Sequence, residues 1–509
     1  MSGIDVKEMT VAEAQRGLAE GRFTCEALTA AFLARIDQFN PRYNAIILRN
    51  PDALADARAI DRRRAAGEAL GPLAGIPVVI KDPMDMVGFP TTGGWSQLYS
   101  GAGGVDLMPE TDSPVVARMR AAGTIMLGKT NVPVLSASGT HANDSWAGPT
   151  LNAAAPDLAP GASSAGTATA VAASMCVLGL AEETGGSIQN PASAQGLVGI
   201  KPTHALVPNT GVLPLSSQRD VVGPIARCVR DAALCLDVLA GFTMADPKTV
   251  ASVGRIPKGG YAAGLMPGAL RGARLGLYGP GWRDAAPSDE TTALYIRAQA
   301  EIGGCGAALL ADPFADSGFA AVALGRPAGS RHDWRGMESV PFDLQNYLQR
   351  LGPNAALKTF AAFTAATAAQ NAFGPTGPLH YMAASPVFQA CLARPDLPPD
   401  LSDFAAAREA YLAIFDGVMN AQGLDALVFP QMLASSPPLH GEEKIAAATV
   451  SEINVAGLPG VVVPAGYYAN GAPFCLIFIG RKWSEARLLA LAYDYEQATH
   501  HRQAPQLRA

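Results

Sequence analysis

Residues 161–203 read GASSAGTATAVAASMCVLGLAEETGGSIQNPASAQGLVGIKPT, with two serine-bearing glycine turns, Gly161-Ala162-Ser163-Ser164 and Gly185-Gly186-Ser187, on either side of a run of small residues. Glycines in such turns let the backbone approach a reacting group closely, and successive N–H groups there form an anion-binding nest. A serine hydroxyl becomes an effective nucleophile only when a base takes its proton during attack. The chemistry therefore asks which base the chain supplies.

The seven histidines (His141, His204, His332, His380, His440, His500 and His501) show no spacing that singles one out. The chain also lacks a G-x-S-x-G elbow and an S-x-x-K pair. Lysine is the other option, and of nine lysines Lys81 is the one placed directly after a compact apolar run, Ile76-Pro77-Val78-Val79-Ile80. From a reference pKa of ~10.4, forming a neutral lysine at pH 7 costs about 4.6 kcal/mol. Burial and nearby cations remove part of that cost, so a Lys–Ser–Ser relay calls for a buried lysine such as Lys81.

At this point the segment resembles the signature region of the amidase signature family, whose usual form is G-G-S-S-G-G, then T-D-T-G-G-S-I-R, then G-L-K-P-T. The resemblance extends from Thr24 through Asn44-Ala45, Gly71-Pro72-Leu73-Ala74-Gly75-Ile76-Pro77 and Gly128-Lys129-Thr130-Asn131. It resumes at Ala456-Gly457-Leu458-Pro459 and Val463-Pro464-Ala465-Gly466, and Ser163 and Ser187 keep the family's 24-residue spacing. The resemblance implies a Ser–cis-Ser–Lys triad: Ser187 as nucleophile, Ser163 as bridging serine after a cis peptide, and Lys81 as base. It further implies that the N–H groups of Thr184, Gly185, Gly186 and Ser187 hold the oxyanion, and that no metal or cofactor takes part.

The chain departs from the family pattern near both serines. Glu183 stands where the family has Asp, Gln189 where it has Arg, and alanines replace two glycines in Gly161-Ala162-Ser163-Ser164-Ala165-Gly166. These changes touch the support of the oxyanion loop and remove no triad member. Lys129, Lys201, Asp82, Asp85 and Asn131 are given structural roles. Trp334, Phe342, Tyr347 and Tyr381 are candidates for a pocket wall, although buried aromatics are more often core.

The elements that must position these residues follow from periodicity. Thr24 reads as the N-cap of a helix with Leu28, Phe32, Leu33 and Ile36 on one face, ended by Asn40-Pro41. A second helix covers Pro51 to Ala66, with Arg62-Arg63-Arg64 on its solvated face. The run 76–80 reads as a buried strand, Ser113–Ala122 as a helix capped by Gly123, and Thr124–Leu127 as another strand. This last stretch leads into Gly123-Thr124-Ile125-Met126-Leu127-Gly128-Lys129-Thr130, which fits the P-loop pattern letter for letter. The order of elements is wrong for a phosphate cradle, because a helix precedes the first glycine and the residues between the glycines are strand-like.

Alternating helices and apolar strands indicate an α/β fold. The resemblance makes it a single large domain over 1–509, with a central mixed β-sheet covered by helices on both faces. The signature core spans about 76–203, and the least regular part, expected to form the substrate pocket, spans about 245–440. With 509 residues, 49% hydrophobic and 16% charged, a large buried core is available. The net charge of −6 without a Lys/Arg block argues against nucleic acid as a partner.

The seven cysteines lack C-x-x-C spacing and read as reduced thiols. Charges are spread through the first twenty residues, where a secretory signal needs an apolar stretch, so a cytoplasmic protein is expected. The uncharged stretches 158–181 and 454–480 are broken by polar residues, glycines and prolines, and read as soluble core with no membrane partner.

The resulting expectation is an amidase that cleaves a small, apolar or aryl-bearing amide, with carbamates and esters as side substrates. Two rivals stand beside it: the glutaminase (A) subunit of a tRNA-dependent amidotransferase, and a non-catalytic binding protein on the same fold. The assembly is left open, with a homodimer allowed.

Overall fold

The chain alternates short apolar runs with amphipathic ones, and in the computed structural model, which describes residues 4–322 and 333–508, the apolar runs join into one sheet. Its strands are β1 (Ile46–Arg49), β2 (Pro77–Lys81), β3 (Ile125–Thr130), β4 (Leu178–Glu183), β5 (Val198–Lys201) and β6 (Val221–Ala226), followed by β7 (Arg274–Leu277), β8 (Ala308–Leu310), β9 (Ala426–Pro430), β10 (Gly460–Tyr467) and β11 (Pro473–Ile479). Their order across the eleven-stranded sheet is β1-β3-β2-β4-β6-β5-β10-β11-β9-β7-β8. Parallel pairs join β3, β2 and β4, and also β9, β7 and β8. The middle of the sheet, from β4 through β6, β5, β10 and β11 to β9, is antiparallel.

Helices cover both faces of this single mixed sheet. The helix Ala165–Ala172 packs on β4 and β2, Gln189–Ala194 on β5, β10 and β11, and Glu485–Thr499 on β10. Strands β2, β4, β9 and β11 are buried throughout, which explains why they read as unbroken apolar runs. One continuous core follows the sheet. A second apolar cluster lies off it, where Trp95, Leu98, Leu135 and Leu213 meet the helices between Met337 and Phe388.

Several expectations are corrected in detail. The helix that begins after Thr24 runs through Pro41 to Tyr43 and ends at Asn44, whose left-handed conformation caps it. Pro41 sits in the last turn, where one lost backbone hydrogen bond is tolerated. Strand β3 runs on through Gly128, Lys129 and Thr130, so the P-loop-like residues form ladder rather than a phosphate loop. The two uncharged stretches are folded into the core, and no helix among the described residues is long and apolar enough to cross a membrane.

Candidate active site

Three charged doublets stand at the borders of buried strands: Lys81-Asp82 at the end of β2, Glu182-Glu183 at the end of β4, and Arg219-Asp220 just before β6. Strands β2 and β4 are parallel, with Ile80 opposite Leu180, so their ends share one edge of the sheet. Strand β6 is antiparallel to β4, with Val221 opposite Glu183, which brings its start to that same edge. The sheet topology thus gathers charge at the carboxyl ends of the parallel strands, the usual place for a site in an open α/β sheet.

Lys81 is fully buried, and three acceptors surround its amine: Ser163 Oγ at 2.7 Å, Glu182 Oε2 at 2.6 Å and the Glu182 carbonyl at 3.0 Å. A charge this deep is tolerable only with a partner, and Glu182 supplies it. Ser163 follows a cis peptide from Ala162, and the helix Ala165–Ala172 begins two residues later, after Ser164 at its N-cap. Ser164 ties the two glycine turns together, since its N–H donates to the Ser187 carbonyl at 3.3 Å and its hydroxyl to the Glu182 carbonyl at 3.2 Å.

Glycine is required at two points of this arrangement. At Gly161, with φ +70°, a Cβ would lie 2.6 Å from the Asn190 backbone. At Gly186, with φ +95°, it would lie 2.9 Å from Asn190 Nδ2. The backbone N–H groups of Gly185, Gly186 and Ser187 donate to no protein acceptor among the described residues. Gly185 is half-buried in a segment that is otherwise buried, so this row of free donors borders an opening.

The departures at 183 and 189 leave the turn well held. Glu183 Oε2 accepts from the N–H groups of Ile188 at 2.8 Å and Gln189 at 3.1 Å. Its Oε1 accepts from Gln189 Nε2 at 2.5 Å and Asn454 Nδ2 at 2.8 Å. A hydrogen-bonded carboxylate at the start of the helix Gln189–Ala194 thus fixes the turn that carries Ser187.

Behind Lys81 runs a second polar chain. Thr184 Oγ1 lies 3.2 Å from Glu182 Oε1 and 2.5 Å from Asp220 Oδ1. A hydroxyl has one proton to donate, so one of these contacts is made by a protonated carboxyl. Burial, reinforced by the Glu182 charge, pushes Asp220 up to about 8, which places that proton on Asp220.

The structure brings Lys81, Ser163 and the turn of Thr184, Gly185, Gly186 and Ser187 to one place. The other candidates make contacts of their own. Lys129 donates to the Pro90 carbonyl and Thr91 Oγ1, and Lys201, which burial pushes down to about 8, donates to the Leu458 carbonyl. Asp82 accepts from Thr92, Asp85 accepts from Thr91, Tyr347 and Arg350, and Asn131 donates to the Gly148 carbonyl. Tyr347 donates to Asp85 Oδ1, Trp334 and Tyr381 stack on each other, and Phe342 is half-buried. His141 contacts the Pro438 carbonyl and His204 the Ser217 carbonyl, and His332 lies outside the described residues. Glu182, Arg219 and Asp220 escaped the sequence reading, although a charged doublet at a buried strand border was the available signal.

A family model described as Amidase matches residues 27–309. The A subunit of the glutamyl-tRNA(Gln) amidotransferase of Thermosynechococcus vestitus is 33% identical over 98% of this chain and 99% of its own length. The protein of the same name from Cereibacter sphaeroides is 34% identical over 97% of this chain and 98% of its own. Among solved structures, the native peptide amidase from Stenotrophomonas maltophilia superposes with a TM-score of 0.79 at 32% identity, covering 99% of both chains. A bacterial aryl acylamidase, at 22% identity and a TM-score of 0.74, shares the fold.

Proposed function

From the premise that the chain belongs to the amidase signature family and is a hydrolase of amide C–N bonds, we propose that it cleaves a small amide through an acyl-enzyme on Ser187. The observation that carries this reading is the buried amine of Lys81, 2.7 Å from Ser163 Oγ, beside the free N–H row of Gly185, Gly186 and Ser187. In this mechanism Glu182 Oε2, at 2.6 Å, holds the Lys81 amine against Ser163. The neutral amine then accepts the Ser163 proton while Ser163 accepts that of Ser187, and Ser187 attacks the carbonyl. The N–H groups of Thr184, Gly185, Gly186 and Ser187 hold the oxyanion, where one donor is worth ~3 kcal/mol. The proton returns through Ser163 to the leaving amine, and water then releases the acid from Ser187.

Pro83, two residues beyond Lys81, joins Leu135, Leu213, Leu215, Leu344 and Leu379 around a small apolar cleft. In this conformation the cleft has room for little more than a water, so the proposed apolar or aryl group, with aryl carbamates and esters as side substrates, enters only where these side chains part. A second reading, the glutaminase component of a tRNA-dependent amidotransferase, is favoured by relatives of that name at 33% and 34% identity over nearly the whole chain.

The test is product release from anilides, primary amides, aryl carbamates, aryl esters and glutamine, with wild type beside Ser187→Ala and Lys81→Ala. Anilide or carbamate turnover that vanishes in both variants supports the small-molecule amidase. Glutamine cleavage alone, dependent on a partner protein, supports the second reading. Turnover unchanged in both variants refutes the mechanism.

A further inference from the structure

Arg219 is buried in the wall of the candidate site, with 2% of its surface exposed. Its Nη1 donates to the carbonyls of Asp333 at 2.6 Å and Arg335 at 3.4 Å. Nε has no hydrogen-bond partner, and Nη2 makes no hydrogen bond among the described residues. Nε–H and the adjacent Nη2–H form the side edge of the guanidinium, two parallel donors with the geometry of a carboxylate. Nη2 stands 3.6 Å from the point where a Cβ on Gly185 would be, so this edge borders the half-buried turn of the free N–H row.

A buried guanidinium normally has a carboxylate of its own. Here the neighbouring carboxyls are engaged elsewhere. Asp333 is held bidentately by Arg335, at 2.9 and 2.5 Å. Asp220 accepts from the N–H groups of Leu215 and Ser216 and contacts Thr184, and Glu338 accepts from the Gly336 N–H. No ion pair among the described residues includes Arg219, and residues 323–332 contain no Asp or Glu. Arg408, half-buried, adds like charge nearby.

We propose that the Nε–Nη2 edge of Arg219 binds a carboxylate carried by the substrate, so that the preferred amides are anionic ones with the carboxylate a few bonds from the scissile carbonyl. The inference rests on the amidase reading and narrows it: the substrate pairs an apolar portion for the leucine-lined cleft with one negative charge for Arg219. Productive binding then seats the carboxylate on the fork while the carbonyl oxygen reaches the N–H row of Gly185, Gly186 and Ser187.

The test uses matched 4-nitroanilides with malonyl, succinyl and glutaryl acyl groups, each beside an uncharged partner in which isopropyl replaces the carboxylate. The expected result is a kcat/KM at least tenfold higher for the acid at one chain length, with that acid-to-neutral ratio falling at least tenfold in Arg219→Gln. Arg219→Lys keeps the charge and loses the fork, so its ratio falls as well, and it stands in should the glutamine variant not fold. A wild type that favours the uncharged partner at every length, or a ratio unchanged in both variants, overturns the proposal.

If wild type hydrolyses no anilide, the anilide form of the amidase reading fails separately. Calorimetric binding of the same pairs to Ser187→Ala then decides for Arg219. Tenfold tighter binding of an acid, abolished by adding Arg219→Gln, supports the fork, and equal binding of acid and neutral partner refutes it.

Discussion

Around Lys81 the contest is between the cost of burying charge and the value of a base held against a serine. The ammonium and the Glu182 carboxylate are both buried, and in such a place removing one partner costs far more than replacing both. Glu182→Gln is therefore expected to lower unfolding stability by about 3–5 kcal/mol, and Lys81→Met with Glu182→Gln together to recover most of it. Denaturant unfolding of the two singles and the double checks this, and additive losses would mean that the pair does not bear charge. Asp220 gives a pH signature. Its carboxyl is raised in the folded state, from 3.8 to about 8, so the folded protein binds the proton more tightly than the unfolded chain. The stabilisation from that proton is fully present below pH 3.8 and is lost as pH rises through about 8. Asparagine copies the protonated acid, accepting from Leu215 and Ser216 and donating to Thr184. Wild type is thus expected to lose Tm between pH 5 and pH 8 and Asp220→Asn to flatten that decline, and parallel Tm profiles would place the shared proton elsewhere.

At the level of elements, the Ser187 turn works because β4, the turn and the helix Gln189–Ala194 are locked by Glu183 and by the close approach of Gly186 to Asn190. An alanine at 186 would have to adopt φ +95° and displace Asn190 Nδ2, which donates to the Gly139 carbonyl. Gly186→Ala is expected to cost about 1–3 kcal/mol of stability and roughly 10²-fold in turnover through misplaced donors. Thermal unfolding together with kcat measures both, and full turnover would show that the turn is not the oxyanion site. This element was legible in the sequence because its glycines and serines are local signals, and Lys81 was legible because it ends a short apolar run. Glu182, Arg219 and Asp220 were not, since their meeting depends on β4 lying between a parallel β2 and an antiparallel β6, a pairing that no local pattern encodes. The course of the chain through Pro41 was missed because tertiary burial of Phe39 and Tyr43 outweighs the proline's local preference. Strands β7 and β8 were illegible for a simpler reason, being four and three residues long and only partly buried.

Over the whole molecule the two apolar clusters differ in kind. The larger follows the sheet, where β2, β4, β10 and β11 sit in the interior of eleven strands and each has a hydrogen-bonded neighbour on both sides. The smaller holds helices and loops alone: Val340–Arg350, Phe360–Ala366 and Pro386–Ala393 close over Trp95, Leu98, Leu135 and Leu213 with no strand among them. Opening the first cluster breaks ladders that connect the two halves of the chain, whereas opening the second separates side chains and leaves the sheet intact. Local opening follows the cheaper route. Leu135, Leu213, Leu344 and Leu379 of this second cluster also line the cleft beside Pro83, so under the proposed amidase reading the part of the fold that opens most readily is the part that admits the substrate's apolar group. Native-state hydrogen exchange should therefore find amides of Val340–Arg350 and Pro386–Ala393 exchanging at least tenfold faster than those of β2, β4, β10 and β11, and a bound substrate analogue should slow the helices while leaving the strands unchanged. Equal protection in both sets would mean that the helical cluster unfolds only with the sheet, and entry to the site would then have to follow a path that is already open.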